Sequence, residues 1–81
     1  MKNNPHININ GDKFWYLNGK RHREDGPACE FINGDKFWYL NGKTHREDGP
    51  AVEYHNGHKE YWINNNYYDS LEEGLMNEAL K

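Results

Sequence analysis

The segment NGDKFWYLNGKRHREDGPACEFI, residues 10–32, is followed at once by NGDKFWYLNGKTHREDGPAVEYH, residues 33–55, which differs from it at four of 23 positions. A third, degenerate copy occupies residues 56–66, and residues 6–9 form a partial strand that ends a preceding half repeat. A fixed period in this range is typical of stacked supersecondary units, each of which needs a neighbour to bury its apolar side chains. The 81 residues are therefore predicted to form one repeat domain.

Two kinds of turn punctuate the repeats. Asn-Gly occurs at residues 10–11, 18–19, 33–34, 41–42 and 56–57. Asn-Gly favours a type I′ hairpin turn, in which both central residues need positive φ, and one strand is expected between successive turns. The sequence Glu-Asp-Gly-Pro at 24–27 and 47–50 predicts the second kind of turn. The fold class is therefore mainly β: an antiparallel β-hairpin repeat meander or solenoid with a short C-terminal capping helix.

Side chains alternate between the two faces of a strand, so comparing the copies assigns each row. One row is apolar in all three copies and is predicted to be the core: Trp15, Leu17, Trp38, Leu40, Tyr61 and Ile63. The opposite row is rich in aromatic residues but includes a glutamate, which predicts a surface that reaches solvent: Phe14, Tyr16, Phe37, Tyr39, Glu60 and Trp62.

The C-terminal segment, residues 70–80, is predicted to be helical. Ser70 and Glu73 have the spacing of a capping box. An apolar stripe follows at helical spacing: Leu71, Leu75, Met76, Ala79 and Leu80. Gly74 costs a helix about 1 kcal/mol relative to alanine, so the helix is expected to be held by docking onto the sheet.

Charge, hydropathy and cysteine content limit the kinds of partner and the compartment that we expect for this chain. A net charge of −3 argues against nonspecific nucleic-acid binding, which needs a basic surface. The longest apolar runs are four residues, too short for a membrane span or a signal peptide. Cys29 is the one cysteine and aligns with Val52, so it is predicted to be a small buried hydrophobe in a protein of the reducing cytoplasm.

The hairpin segments Tyr16-Leu-Asn18-Gly19-Lys20 and Tyr39-Leu-Asn41-Gly42-Lys43 resemble the MORN repeat, in particular its shorter variant with Tyr-x-Asn-Gly at the hairpin. The resemblance covers residues 10 to about 64. The longer string from Gly-Asp-Lys to Asp-Gly-Pro-Ala is similar to small repeat proteins of tailed bacteriophages and giant viruses. The resemblance implies a β-hairpin solenoid that binds other molecules, with no catalytic residues to carry over. If the protein is viral, the cytoplasm in which it acts is that of the host cell.

No enzymatic activity, cofactor or metal is expected. The candidate nucleophiles have structural explanations, because Ser70 is a helix cap and Thr44 and Cys29 are replaced in the sister repeat by Arg21 and Val52. Equivalent histidines one repeat apart are expected at about 9.5 Å, two strand spacings, which is too far to share a zinc ion.

Two surfaces are candidates for binding. The aromatic row of Phe14, Tyr16, Phe37, Tyr39 and Trp62 would suit a protein partner, unless the helix or the curvature of the sheet covers it. The recurring pairs His22-Arg23 and His45-Arg46 would suit an anion, or else each arginine is neutralised by the glutamate and aspartate that follow it.

The short acidic chain with its repeated aromatic surface predicts a non-enzymatic protein-binding module. The resemblance suggests a phage setting, in which the chain would be a phage-encoded inhibitor of a host protein, such as a defence protein. A first alternative is a protein that sequesters a small anionic or nucleotide-like ligand. A second is a scaffold that forms homo-oligomers through the edge strand near Ile7.

Overall fold

The computed structural model describes residues 4–81, which form eleven short β-strands and one α-helix. In chain order the elements are His6–Ile7 (β1), Lys13–Phe14 (β2), Tyr16–Leu17 (β3), Lys20–Arg21 (β4), Cys29–Glu30 (β5), Lys36–Phe37 (β6), Tyr39–Leu40 (β7), Lys43–Thr44 (β8), Val52–Glu53 (β9), Lys59–Ile63 (β10), Asn66–Tyr68 (β11) and Leu71–Ala79 (α1). The described residues extend 41 × 31 × 15 Å, which makes the molecule a slab little more than one sheet thick. The predicted mainly-β fold of antiparallel hairpins with a short C-terminal helix is confirmed, as an open meander rather than a closed solenoid.

The main sheet joins seven of the described strands in the order β1-β2-β5-β6-β9-β10-β11, and every neighbouring pair is antiparallel. The hairpins β3–β4 and β7–β8 continue from it. The chain passes from sheet to hairpin at Trp15, whose N–H donates to the Ala28 carbonyl at 2.8 Å and whose carbonyl accepts from the His22 N–H at 3.0 Å. The expected single strand between turns is therefore divided in the first two repeats, whereas β10 is continuous.

The Asn-Gly turns are of two kinds, so the prediction of type I′ geometry is right for only some of them. Asn18 and Gly19 have φ of 53° and 78°, and the same holds at residues 41–42. At the other sites the glycine has positive φ, Gly34 at 102° for example, but the asparagine does not. There Gly34 N–H donates to the Phe31 carbonyl and Phe31 N–H to the Asp35 carbonyl, both at 2.9 Å, as in a three-residue hairpin loop closed by a glycine.

The third repeat also keeps its hairpin turn without a glycine. Asn64 and Asn65 have φ of 48° and 71°, the left-handed values of a type I′ turn. Asparagine tolerates this region better than most residues. The hairpin therefore runs on through β11, which ends at Tyr68.

The register shows which side chains share a face of the sheet, because directly opposite residues on neighbouring strands point to the same side. Phe14 lies opposite Cys29, Cys29 opposite Phe37, and Phe37 opposite Val52. We call this side the aromatic face; its rings are Phe14, Tyr16, Phe31, Phe37, Tyr39, Tyr54, Trp62 and Tyr67. The other side, the loop face, has Trp15, Trp38 and Tyr61.

The loop face is covered in every repeat, although not by the same element. In the first two repeats the loops at 22–28 and 45–51 fold back so that Arg23 lies over Trp15 and Arg46 over Trp38, with guanidinium carbons 3.9 and 4.0 Å from the ring centroids. In the third repeat α1 takes this position and packs against β10 and β11. The helix therefore replaces the third arginine loop.

The buried residues come from both faces, and the predicted core row is only partly right. Trp15 and Ile63 are buried on the loop face, but Leu17, Trp38, Leu40 and Tyr61 are half-buried. Ala28, Ala51, Cys29 and Val52 complete the buried apolar set, and Cys29 and Val52 belong to the aromatic face. A single-layer sheet cannot enclose one row of large side chains, so its best-buried positions are small residues flanked by larger ones. The prediction that Cys29 is a small buried hydrophobe is confirmed.

The helix is capped and docked onto the sheet as predicted, but most of its apolar stripe faces solvent. The Ser70 hydroxyl accepts from the Glu73 N–H at 3.1 Å, and Glu73 accepts from the Asp69 N–H at 3.3 Å. Leu75, Met76 and Leu80 are 39%, 64% and 83% exposed, against the expectation. The buried position of α1 is Gly74, because the helix backbone comes close to the sheet.

Candidate functional site

The rings of the aromatic face form a continuous edge-to-face ladder. The centroids of Phe14 and Phe31, Phe31 and Phe37, and Phe37 and Tyr54 are 5.6, 5.5 and 5.8 Å apart, with interplanar angles of 86–89°. Such pairs contribute about 0.5–1.5 kcal/mol each beyond the area they bury. Phe31 and Tyr54 directly follow the return strands β5 and β9, so the first two repeats supply two rungs each.

Beside this ladder, the hairpins present a more exposed group of rings. Tyr16 and Tyr67 are 50% and 54% exposed, and Tyr39 is half-buried. The guanidinium carbon of Arg21 lies 5.6 Å from the ring centroids of both Phe14 and Tyr39, so a cation sits among the rings.

Trp62 completes the row in the third repeat. Its ring centroid is 5.6 Å from that of Tyr67, and its indole N–H donates to the Glu60 carboxylate at 3.0 Å. The glutamate that breaks the aromatic row in the third copy therefore orients the neighbouring tryptophan.

The C-terminal helix does not cover the aromatic face. Its Gly74 lies against Tyr68 and Ile63, and its Glu78 accepts from the Tyr68 hydroxyl at 2.5 Å. Tyr68 is opposite Tyr61 in the register, which places all these contacts on the loop face. No helix or strand within residues 4–81 packs over the aromatic face.

The repeated arginines point inward and are already paired. Arg23 donates from Nε to Asp25 at 2.9 Å and from Nη1 to Glu30 at 3.0 Å and to the Pro27 carbonyl at 3.1 Å. Its side chain is 20% exposed. A Cβ on Gly26 would lie 2.9 Å from the guanidinium carbon, which explains the glycine of the turn.

The second repeat reproduces this arrangement. Arg46 donates to Asp48 at 2.7 Å, to Glu53 at 3.2 Å and to the Pro50 carbonyl at 3.0 Å. The hydrogen bond from Arg46, with its positive charge, lowers the pKa of Asp48. An anionic ligand at either arginine would therefore compete with two carboxylates of the protein itself.

The histidines of the same loops connect one repeat to the next. His22 Nδ1 accepts from the backbone N–H of Asn41, and His45 Nδ1 from that of Asn64, both at 2.9 Å. Nε2 of His45 lies 2.9 Å from Glu47, and the corresponding distance from His22 to Glu24 is 3.3 Å. Because Nδ1 accepts, Nε2 carries the proton in the neutral ring and its N–H donates a hydrogen bond to the carboxylate.

A groove between the two arginine loops is a feature that sequence reasoning missed. Its volume is about 660 Å³, and its lining consists of residues 23–27 and 45–48 with Trp38 and Leu40. The sequence implied no cleft beside Glu24 and Asp25, because the distance between loops of successive repeats cannot be read from spacing alone.

The structure thus divides the predicted binding residues between two faces. Phe14, Tyr16, Phe37, Tyr39 and Trp62 lie together on the aromatic face, whereas His22, Arg23, His45 and Arg46 lie in the loops of the opposite face. Sequence reasoning missed Phe31, Tyr54, Tyr67 and Arg21, which belong to the aromatic face. The signal for Phe31 and Tyr54 was their position two residues after Cys29 and Val52, which places each pair on one face of the sheet.

The described residues give no grouping for a metal ion, an unreactive thiol and no membrane-spanning helix. Within residues 4–81, no three His, Cys, Asp or Glu side chains are grouped closely enough to hold a metal ion. Burial, opposed by the charge of Arg21, raises the pKa of the Cys29 thiol, which favours the unreactive protonated form. Over the same residues, no helix has the length and apolar character needed to cross a membrane.

A scan against protein-family models and searches of curated proteins and of solved structures give no match to this chain.

Proposed function

We propose that the protein is a non-enzymatic protein-binding module whose contact surface is the aromatic face. The observation that carries the proposal is that no helix or strand within residues 4–81 packs over this face, whereas an arginine loop or α1 lies over part of the opposite face in each of the three repeats. Tyrosine, tryptophan and arginine are the residues most enriched among the energetically important contacts of protein interfaces. Tyr16, Tyr67 and Arg21 combine exposure with that chemistry.

The rigidity of the surface also supports this role. The phenylalanines of the ladder lie on or directly beside strands of the main sheet that are hydrogen-bonded to both neighbours, and each phenylalanine is fixed by edge-to-face contacts. A surface that is already ordered loses little side-chain entropy on binding. The flat sheet would suit a partner with a similarly flat or slightly convex patch.

The resemblance of the repeats to MORN-type hairpins and to small phage and giant-virus proteins supports a more specific proposal. The chain would act as a phage-encoded inhibitor in the cytoplasm of the host cell, where it binds a host protein such as a defence protein. The buried, unpaired Cys29 suits a reducing compartment.

The proposal is tested by affinity capture from host lysate, followed by measurement of the affinity for the purified partner. The triple variant Tyr16→Ala, Tyr39→Ala and Trp62→Ala should reduce affinity at least about 100-fold, because such residues typically contribute 2 kcal/mol or more when they lie at the centre of an interface.

A matched control changes exposed apolar residues of the other face. The double variant Met76→Ser and Leu80→Ser should retain the affinity of the wild type. Circular dichroism and a thermal melt establish that each variant is folded. Full affinity in a folded triple variant, or an equal loss in the control, would refute the assignment of the surface.

A further inference from the structure

The groove between the arginine loops is a second surface with its own chemistry. Loop residues 23–27 form one wall and 45–48 the other, and Trp38 and Leu40 form the floor. Trp15, the equivalent of Trp38 in the first repeat, is buried, whereas Trp38 is half-buried. Arg46 covers part of Trp38, and another part of the indole lines the groove.

In the walls of the groove the carboxylates are exposed to solvent, whereas the arginines are mostly buried in their own ion pairs. Glu24 and Asp25 are 82% and 68% exposed, and Glu47 and Asp48 are 69% and 86% exposed. The two arginine side chains are only about one fifth exposed and lie behind these carboxylates. Four carboxylates against two guanidinium groups leave the lining negative, with the negative charge on the outside. The groove therefore favours a cationic ligand over an anionic one.

We propose that this groove binds an arginine side chain presented by a protein partner. The fold itself shows the interaction twice, because Arg23 and Arg46 each lay a guanidinium group over a tryptophan and pair it with carboxylates. A third guanidinium group entering from solvent would meet the uncovered part of Trp38 and the exposed Glu24 and Glu47.

The choice of arginine follows from the shape of the site. A planar guanidinium group stacks on an aromatic ring and presents several N–H donors in its plane, which a compact ammonium group cannot do. Leu40 and the half-buried indole would receive the three methylene groups of the arginine side chain. The groove is on the face opposite the aromatic face, so this proposal does not depend on the proposed function.

The direct test is a titration of the full chain, labelled with ¹⁵N, with the blocked peptide acetyl-Gly-Arg-Gly-Arg-Gly-amide. The indole N–H signal of Trp38 should shift on binding, while those of Trp15 and Trp62 should not. The same peptide with citrulline in place of arginine keeps the shape but lacks the charge, and it should bind at least about tenfold more weakly. Equal binding of the citrulline peptide, or shifts centred on Trp62, would overturn the proposal.

The double variant Glu24→Gln and Glu47→Gln gives a second test. Glutamine can still accept the hydrogen bond from each histidine, so the loops should keep their structure while two wall charges are removed. Affinity for the arginine peptide should fall about tenfold, whereas the single charge change Glu72→Gln on α1 should leave it unaltered. Unchanged affinity in the double variant, an equal loss in the control, or tighter binding of spermine than of the arginine peptide would refute the assignment.

Discussion

Replacement of Gly74 by alanine should destabilise the protein, although alanine is the better helix former. Gly74 is the buried residue of α1, and a Cβ at this position would lie 2.9 Å from Tyr68 Cδ2 and 3.0 Å from Ile63 Cγ1. Neither neighbour yields easily, because Ile63 is 2% exposed and the Tyr68 hydroxyl is held by Glu78. The added methyl group would therefore push the helix away from the sheet.

Two opposing effects determine the magnitude. The intrinsic preference for alanine over glycine stabilises a helix by about 1 kcal/mol. Overpacking at a tight contact costs about 1–3 kcal/mol. A helix of nine residues is not stable in isolation, so loosening its contact with the sheet also loosens the helix itself. We expect the free energy of unfolding to fall by about 1 kcal/mol in total.

Equilibrium urea denaturation measures this change. With a denaturant slope of about 1 kcal/mol per molar, the midpoint of the Gly74→Ala variant should be lower by about 1 M. The control Met76→Ala lies on the same helix at a 64% exposed position and should change the midpoint little. A Gly74→Ala variant as stable as the wild type, or more stable, would refute the close docking of α1.

Three further predictions concern the loops, a turn and the pH dependence. Arg46→Met should lower the free energy of unfolding, measured by urea denaturation, by about 2 kcal/mol. The substitution removes the cation–π contact with Trp38 and the hydrogen bonds to Asp48 and Glu53. The control Lys59→Met, at an exposed position, should change the free energy of unfolding little. Gly19→Ala should cost about 1 kcal/mol in the same assay through backbone strain, because φ is +78° and nothing lies within 4 Å of the new methyl group. The pKa of Glu78 is lowered from 4.5 to about 2, chiefly by the hydrogen bond from the Tyr68 hydroxyl and then by that from the Lys81 ammonium group. The ionised carboxylate therefore stabilises the fold, and this contribution is fully present above pH 4.5. That contribution should be lost progressively as the pH falls from 4.5 towards 2, as followed by the tyrosine signals in NMR.

Each of these predictions has a contradicting result. An Arg46→Met variant no less stable than Lys59→Met would mean that the arginine loop does not hold the sheet. A Gly19→Ala variant of unaltered stability would contradict the left-handed turn. If Glu78→Gln left the acid transition of the wild type unchanged between pH 4.5 and 2, the carboxylate would not be linked to the docking of the helix.

The strand faces were predictable from the sequence because strict repetition makes the period of two visible. Phe14 and Phe37 are on one side and Trp15 and Trp38 on the other, as expected. The turns were less predictable, since the same dipeptide Asn-Gly forms a type I′ turn at 18–19 and a glycine-closed three-residue loop at 33–34. The difference depends on how many residues each pair of strands leaves unpaired, which the dipeptide does not specify.

What covers each face could not be read from local sequence. The apolar stripe of α1 suggested docking through Leu75 and Met76, but the helix docks through a glycine, because close backbone approach and the Glu78 hydrogen bonds outweigh the burial of those two side chains. The arginines looked like surface charges in sequence. Their position over Trp15 and Trp38 depends on a loop that folds back onto the sheet, a tertiary contact that spacing does not encode.

Only part of the aromatic face was predictable from the sequence, because the complete face depends on how the strands pair. Tyr16 and Tyr39 were recognisable as members of an aromatic row, but Phe31 and Tyr54 follow the return strands β5 and β9, and the row becomes continuous only when adjacent strands pair. The groove beside Trp38 lies between two repeats and has no counterpart in the sequence of either.

The central claim is that the aromatic face is the surface that meets a protein partner. Hydroxyl-radical footprinting of the purified complex, compared with the free chain, tests it most directly by measuring the reactivity of individual aromatic side chains. We predict that Tyr16, Tyr39, Trp62 and Tyr67 are protected in the complex, while Met76 on the opposite face reacts as it does in the free chain. Unaltered reactivity of those four rings in a complex that protects the loop face instead would contradict the claim.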